Sequence, residues 1–278
     1  MYKTSEKSIL VPVGSTPDAM IVIKQSYNLA RLTNSKLVLL GVETSHTPFN
    51  QKQFDAMVAE AKADSGVHVE TMIRNGNIYD ELTKVADVLN PLFIIMRITE
   101  KLSADKLIGR NAFKMVRQSK HAVITIRGEN NREGCHVIVL PLDASRESRE
   151  KVDRAIEIAS WFKAEIKIIS ILEHKSKEEE AKLHIISNQV LKVIRDKGLT
   201  CSAEIRFGKN VPKMIIDYGH EVKADLIVIM TQEKLHFSEM LLWNMGTTAQ
   251  QLINESDIPV LSFRPRERKD TTIAVTPY

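Results

Sequence analysis

Short apolar runs alternate along the first half of this chain with segments in which apolar residues recur at helical spacing. After the first run, Met20, Ile23 and Tyr27 lie three or four positions apart, which is typical of an amphipathic helix. Strands that alternate with helices favour right-handed crossovers and therefore a parallel sheet. The five runs that we predict to be strands are residues 8–13, 36–42, 67–73, 92–96 and 121–126.

The same order of elements begins again in the second half. Ile138 repeats the position of Ile9 at an offset of 129 residues, and Phe263 repeats Ile126 at an offset of 137. In the fourth run, residues 94–96 align with residues 228–230 by residue type, at an offset of 134. Because the offset grows between the runs, the insertions fall in loops. A repeat that keeps its order over five strands predicts two domains of one architecture.

Composition narrows the class of protein. Of the 278 residues, 43% are hydrophobic and 27% are charged, and the net charge is only +4, which is typical of globular proteins and gives little support for nucleic-acid binding. No apolar run reaches the roughly 18 residues of a membrane span, and residues 1–7 lack the apolar core of a signal peptide. Cys135 and Cys201 form no CxxC motif. We therefore expect a reduced, cytoplasmic protein with no membrane partner.

With both copies laid out, the chain resembles the universal stress protein family in its tandem form, over residues 7–127 and 136–265. The resemblance rests on Gly208 after the third strand of the second copy and on three stretches of that copy: residues 140–145 (LPLDAS), 224–229 (ADLIVI) and 258–261 (IPVL). It implies two tandem doubly wound parallel five-stranded α/β sheets, of the adenine-nucleotide alpha-hydrolase-like kind with strand order 3-2-1-4-5. It also implies that the two domains pair through their fifth strands.

The domains that we predict on this basis are residues 1–128 and 136–265, followed by a polar tail at 266–278. The polar, glycine-flanked stretch between the two domains is the predicted linker.

The resemblance also implies where a nucleotide would lie. ATP-binding members of the family carry an Asp at the end of strand one, and after strand four they carry Gly-x-x-Gly, about nine residues, and Gly-Ser/Thr. Glycines let backbone N–H groups approach phosphates, and a helix N-terminus adds a positive dipole. The first copy has Gly14 in place of the Asp, Met96 and Thr99 in place of two glycines, and Arg110 after Gly109.

The second copy keeps more of this pattern. Asp143 ends its first strand, but Met230 and Glu233 replace two glycines, and twelve residues separate Glu233 from Gly246. Asp143 is either a ribose acceptor or a turn residue, and the Gly-Thr-Thr stretch is either an anion site or an ordinary helix start. The nucleotide-binding residues predicted from the resemblance, all in the second domain, are Asp143, Ile171, Gly208, Gly246, Thr247 and Thr248.

These departures from the ATP-binding pattern of the family determine which function we predict. We expect a non-enzymatic stress-response or signalling protein with a degenerate ATP motif in both halves. The alternative is a nucleotide-dependent switch, with slow ATP hydrolysis, that uses the second domain, and a pure interaction scaffold is a third reading. Eight histidines show no HxxxH or HExxH spacing, so we expect no metal site, and no spacing assigns a catalytic nucleophile. No cofactor is expected apart from weakly bound ATP; a homodimer and an unidentified protein partner remain open.

Overall fold

A computed structural model describes residues 6–14, 19–44, 49–98, 113–127, 134–143, 148–231 and 248–264. These residues form ten strands in a single sheet, with helices on both faces. The strands are β1 (Ser8–Val13), β2 (Lys36–Glu43), β3 (Val69–Asn75), β4 (Phe93–Arg97), β5 (Ala122–Ile126), β6 (Val137–Pro141), β7 (Glu165–Leu172), β8 (Cys201–Phe207), β9 (Leu226–Met230) and β10 (Val260–Phe263). The helices are α1 (Ala19–Thr33), α2 (Gln51–Asp64), α3 (Ile78–Leu89), α4 (113–118), α5 (Ser148–Phe162), α6 (Lys177–Asp196), α7 (Val211–Glu221) and α8 (Thr248–Glu255).

The strand order across the sheet is β3-β2-β1-β4-β5-β10-β9-β6-β7-β8. Each half therefore has the order 3-2-1-4-5, and its neighbouring strands are parallel. This confirms the predicted fold class of two doubly wound parallel five-stranded sheets. The two halves join edge to edge, because β5 and β10 pair antiparallel.

The β5–β10 junction is symmetric about one residue pair. Leu261 lies opposite Ile124, and Thr125 and Val123 lie opposite Val260 and Ser262. Ile124 and Leu261 are equivalent positions of the repeat, so the pseudo-two-fold axis passes between them. The pairing covers the apolar edges that two separate sheets would expose, which is the pairing that the resemblance implies.

Each face of the sheet carries its own core. Side chains alternate along a strand, so Ile9 packs on one face with α1, α2, α5 and α6, whereas Leu10 packs on the other with α3, α4, α7 and α8. The central strands, such as β1, β4 and β9, are buried on both faces, which explains why their sequences are continuous apolar runs. The edge strands β3 and β8 are largely exposed, and their sequences contain polar residues throughout.

Asparagine side chains cap the N-termini of equivalent helices in the two halves. The Asn77 side chain accepts a hydrogen bond from the Tyr79 backbone N–H at 2.9 Å, and the Asn210 side chain accepts one from the Lys213 N–H at 3.2 Å. Each cap satisfies a backbone donor that the first turn leaves without a partner. The turns after β3 and β8 therefore lead into α3 and α7 in the same way.

The sequence pattern predicts the buried face of the long helix α6 wrongly at one residue. The spacing of Leu183, Ile186, Val190 and Val193 predicts one buried stripe, but Val193 is 46% exposed. The fully buried stripe consists of Leu183, Ser187, Leu191 and Ile194. Ile186 and Val190 lie at its margin, partly buried against the same core.

The alignment of the fourth strands is wrong by one residue. Leu10 pairs with Ile94 in the first half, and the equivalent Val139 pairs with Ile227 in the second. Ile94 and Ile227 also share the same face of the sheet, so the offset here is 133 rather than 134. Both runs are apolar throughout, and residue type alone does not show which residue faces which side. Met230 therefore corresponds to Arg97, not to Met96.

Both cysteines are buried and free of disulfides. Burial raises the pKa of the Cys135 thiol and of the Cys201 thiol. Because the thiolate is the reactive form, we expect the native protein to react with iodoacetamide at least about tenfold more slowly than the protein in concentrated urea. Mass spectrometry measures the two reaction rates. Equal rates in the two conditions would contradict the burial of both side chains.

Candidate nucleotide site

A crevice opens at the carboxyl ends of β6 and β9. The two strands pair only at Ile138–Leu226 and Val139–Ile227, although β6 continues beside β7 as far as Pro141 and β9 continues beside β10 as far as Met230. The strand order reverses at this point, which is where doubly wound folds bind ligands. The first half has the matching arrangement, since β1 and β4 also pair at only two positions.

Asp143 lies on one wall of this crevice, two residues beyond β6. Its side chain is 49% exposed, and its Oδ2 atom is 3.8 Å from the Nζ atom of Lys151. The Lys151 side chain comes from α5 and is only 4% exposed. A buried ammonium is costly unless a carboxylate and other polar groups compensate it. Asp143 is therefore the counterion of Lys151 as well as a potential ligand group.

Sequence reasoning missed Lys151, although the repeat contains a signal for it. At an offset of 129, Asp143 corresponds to Gly14 and Lys151 corresponds to Val22. Val22 is 1% exposed, so this helix position is buried in both halves. The acid and the base are thus present together in the second half and absent together in the first.

Ile171 and Gly208 have structural counterparts in the first half. Ile171 is partly buried at the end of β7, as Val42 is in β2. The Gly208 backbone N–H donates to the Leu172 carbonyl at 2.9 Å, and Gly76 makes the equivalent bond to Glu43. The two glycines make the same backbone hydrogen bond but differ in conformation, because Gly76 has a φ of 141° and Gly208 has no positive φ. Asp143 differs in chemistry from its counterpart, since Gly14 has no side chain.

The opposite wall of the crevice lies partly outside the described residues. Thr248 is the first residue of α8 and is half-buried. The predicted positions Thr99, Gly109, Arg110, Glu233, Gly246 and Thr247 are not among the residues that the structure describes.

Met230, one of the residues that replace the family glycines, is fully buried in the core on the face that carries α5 and α6.

One cluster among the described residues has metal-ligand spacing. Glu6, His68 and Glu70 place their ligand atoms within 4.8 Å of one another. The Nζ atom of Lys36 lies 2.8 Å from Glu70 Oε1 and 3.4 Å from Glu6 Oε2. The Lys36 ammonium contacts both carboxylates, so these residues form an ion-pair network at the start of β1, β2 and β3.

The fold and the crevice define a doubly wound α/β protein with a ligand crevice at a topological switch point. A model of the universal stress protein family matches residues 135–264, the half that contains Asp143. A universal stress protein of Methanocaldococcus jannaschii is 30% identical over 147 residues, which cover 48% of this chain and 84% of the relative. The chain belongs to the universal stress protein family.

Solved structures with low sequence identity share the fold over nearly the whole chain. A universal stress protein from Archaeoglobus fulgidus has a TM-score of 0.67 at 18% identity and covers 92% of this chain and 96% of its own. A putative universal stress protein from Pseudomonas aeruginosa has a TM-score of 0.67 at 20% identity, with 94% of each chain covered. Among the described helices, none is both long and apolar enough to cross a membrane.

Proposed function

We propose that this protein is a non-catalytic cytoplasmic stress-response or signalling protein whose second half alone contacts adenine nucleotide, and does so weakly. The observation that carries the proposal is the contrast between the two crevices. The second half has a carboxylate, Asp143, at the end of β6, whereas the first has Gly14 at the equivalent position. A ribose hydroxyl can donate to a carboxylate, and glycine offers no side-chain acceptor.

The weakness has two physical sources. The Lys151 ammonium, 3.8 Å from Asp143 Oδ2, competes with a ribose hydroxyl for the carboxylate. Two glycines of the family pattern are also absent, and each lost backbone hydrogen bond to a charged phosphate costs about 1.5–3 kcal/mol. Losing two weakens affinity by on the order of 100-fold or more. The protein is therefore expected to carry no ATP after purification.

The second candidate function is an ATP-binding switch that hydrolyses ATP slowly in the second half. Asp143 supports this reading too, because a half-exposed carboxylate beside a nucleotide can hold a metal ion or a water. Phosphate release by the full-length protein with ATP and magnesium separates the two functions. The non-catalytic proposal expects a rate equal to that of buffer alone.

The Asp143→Ala variant gives this assay its specificity. Asp153→Ala is the matched control, because Asp153 is an exposed acid on the same helix α5. Turnover that is present in the wild type, lost in Asp143→Ala and kept in Asp153→Ala would overturn the non-catalytic proposal in favour of the switch.

Calorimetry on the full-length chain tests the asymmetry between the halves. We expect weak ATP binding that Asp143→Ala abolishes and that Gly14→Ala, the equivalent change in the first half, leaves unchanged. Binding that is lost in Gly14→Ala instead would place the nucleotide in the first half. Tight binding by the wild type would refute the predicted weakness.

A further inference from the structure

A pocket of about 130 Å³, partly open to solvent, lies where the two halves meet. It is at the opposite end of β6 and β9 from Asp143, since Cys135 before β6 and Leu226 at the start of β9 both line it. Its apolar wall consists of buried side chains from both halves: Leu29, Ile95, Ile124, Ile126, Ile158 and Leu226. This junction pocket is therefore separate from the candidate nucleotide site.

Polar and charged side chains form a large part of the remaining wall. They are Gln25, His220, Lys223, Asp225 and Asp257. His220 Nε2 lies 3.0 Å from Asp257 Oδ1, and both of these side chains are about half exposed. The Asp225 carboxylate accepts hydrogen bonds from the backbone N–H groups of His136 and Val137, at 2.7 and 3.0 Å. The polar wall thus presents both signs of charge, beside a wall of hydrocarbon.

The internal repeat shows that this space is not a general consequence of the fold. Across the pseudo-two-fold axis, Phe263 takes the position of Ile126 at an offset of 137, and Arg154 takes the position of Gln25 at an offset of 129. The guanidinium carbon of Arg154 lies 6.0 Å from the centroid of the Phe263 ring. A larger pair of side chains, in contact with each other, therefore occupies the equivalent positions.

A third position differs in the same direction. Phe93 takes the position of Leu226 at an offset of 133, and it is 1% exposed. Its ring meets the ring of Trp161 edge to face, with the centroids 6.0 Å apart. The smaller side chains at all three positions on the pocket side leave room that the other side of the junction fills.

We propose that the junction pocket binds a small uncharged amphipathic molecule, a single aromatic ring that carries a hydroxyl group. The pocket volume is close to the roughly 150 Å³ of an engineered cavity that binds benzene, so one ring fits. The ring would cover the apolar wall and remove it from water. A hydroxyl both donates and accepts hydrogen bonds, which suits a polar wall that has carboxylates as well as N–H donors. The site uses neither Asp143 nor a phosphate group, so it goes beyond the proposed nucleotide function.

NMR titration of the full-length protein, with labelled isoleucine methyl groups and phenol as the probe, tests the location. Phenol is expected to shift the methyl signals of Ile95, Ile124 and Ile126 saturably. Ile169, buried on the opposite face of the sheet, is the internal control and is expected not to shift. Absent shifts, or equal shifts at Ile169, would overturn the proposal.

Three further probes test the chemistry of the ligand. Benzene lacks the hydroxyl group, benzoate carries a negative charge, and benzylammonium carries a positive charge. Each is expected to bind at least about tenfold more weakly than phenol. Benzene binding as tightly as phenol would show that the polar wall contributes nothing, and tighter binding of either ion would show that the ligand is charged. Both outcomes would refute the proposed ligand class.

Two filling variants taken from the repeat make the test specific. Ile126→Phe introduces the residue found at Phe263, and Leu226→Phe introduces the residue found at Phe93. Each is expected to weaken phenol binding at least tenfold, and the second serves if the first does not fold. Val88→Phe is the matched control, because Val88 is 83% exposed on α3, and it is expected to leave phenol binding unchanged. Unchanged titration in a folded filling variant would refute the site.

Discussion

Leu261→Asp is expected to lower the free energy of unfolding by about 4 kcal/mol, the largest effect we predict for a single substitution. Leu261 is 0% exposed and lies opposite Ile124 on the pseudo-two-fold axis. A carboxylate at this position would be buried in hydrocarbon without a partner, or would take up a proton at a comparable cost. The change also weakens the pairing that joins the two halves into one sheet. Urea unfolding followed by circular dichroism measures the loss.

The matched control for this substitution is Ile185→Asp. Ile185 is 60% exposed in the middle of α6, so the same change in chemistry there meets solvent. We expect it to change the free energy of unfolding by less than about 1 kcal/mol. Equal losses in the two variants would contradict the central place of Leu261 in the junction.

Asp143→Asn is expected to destabilise the protein by about 2 kcal/mol, because it removes a carboxylate from beside an almost completely buried ammonium. Breaking a buried ion pair from one side costs about 3–5 kcal/mol, and the half-exposed carboxylate justifies a lower figure here. Adding Lys151→Val, the residue found at Val22, is expected to recover most of the loss. A double-mutant cycle in urea therefore gives a coupling energy of about 1–2 kcal/mol.

The control for the cycle is the exposed ion pair between Lys213 and Asp217 on α7. Both of its side chains are more than half exposed, so Asp217→Asn is expected to cost less than about 1 kcal/mol. If the Asp143–Lys151 cycle gave no more coupling than this surface pair, Asp143 would not be the counterion of Lys151.

The elements of the fold were predictable because they depend on local pattern. Apolar runs such as residues 92–96 are short and bounded by polar residues, and the segments between them have helical periodicity. The repeat predicted two similar sheets, and the family resemblance implied their strand order. The resemblance also singled out Asp143, because ATP-binding members of the family carry an Asp at the end of strand one; its part in binding a nucleotide stays a prediction.

Lys151 was not predictable from its own neighbourhood. A lysine in a helix is ordinarily solvated, and whether it is buried depends on which side of the helix meets the sheet. The equivalent residue of the first half, Val22, is apolar and therefore indicates that position 151 is buried. This becomes visible only when the two copies are aligned through the helix as well as through the strands.

The sequence by itself determined the alternation of strands and helices, the repeat and the family resemblance, because each depends on the order of residue types along the chain. The tertiary structure alone decided three further features: the register of β9, the pairing of Leu261 with Ile124, and the burial of Lys151 beside Asp143. Each of these depends on contacts between residues distant in sequence. An apolar run does not specify its register, and a helix does not specify which of its faces meets the sheet.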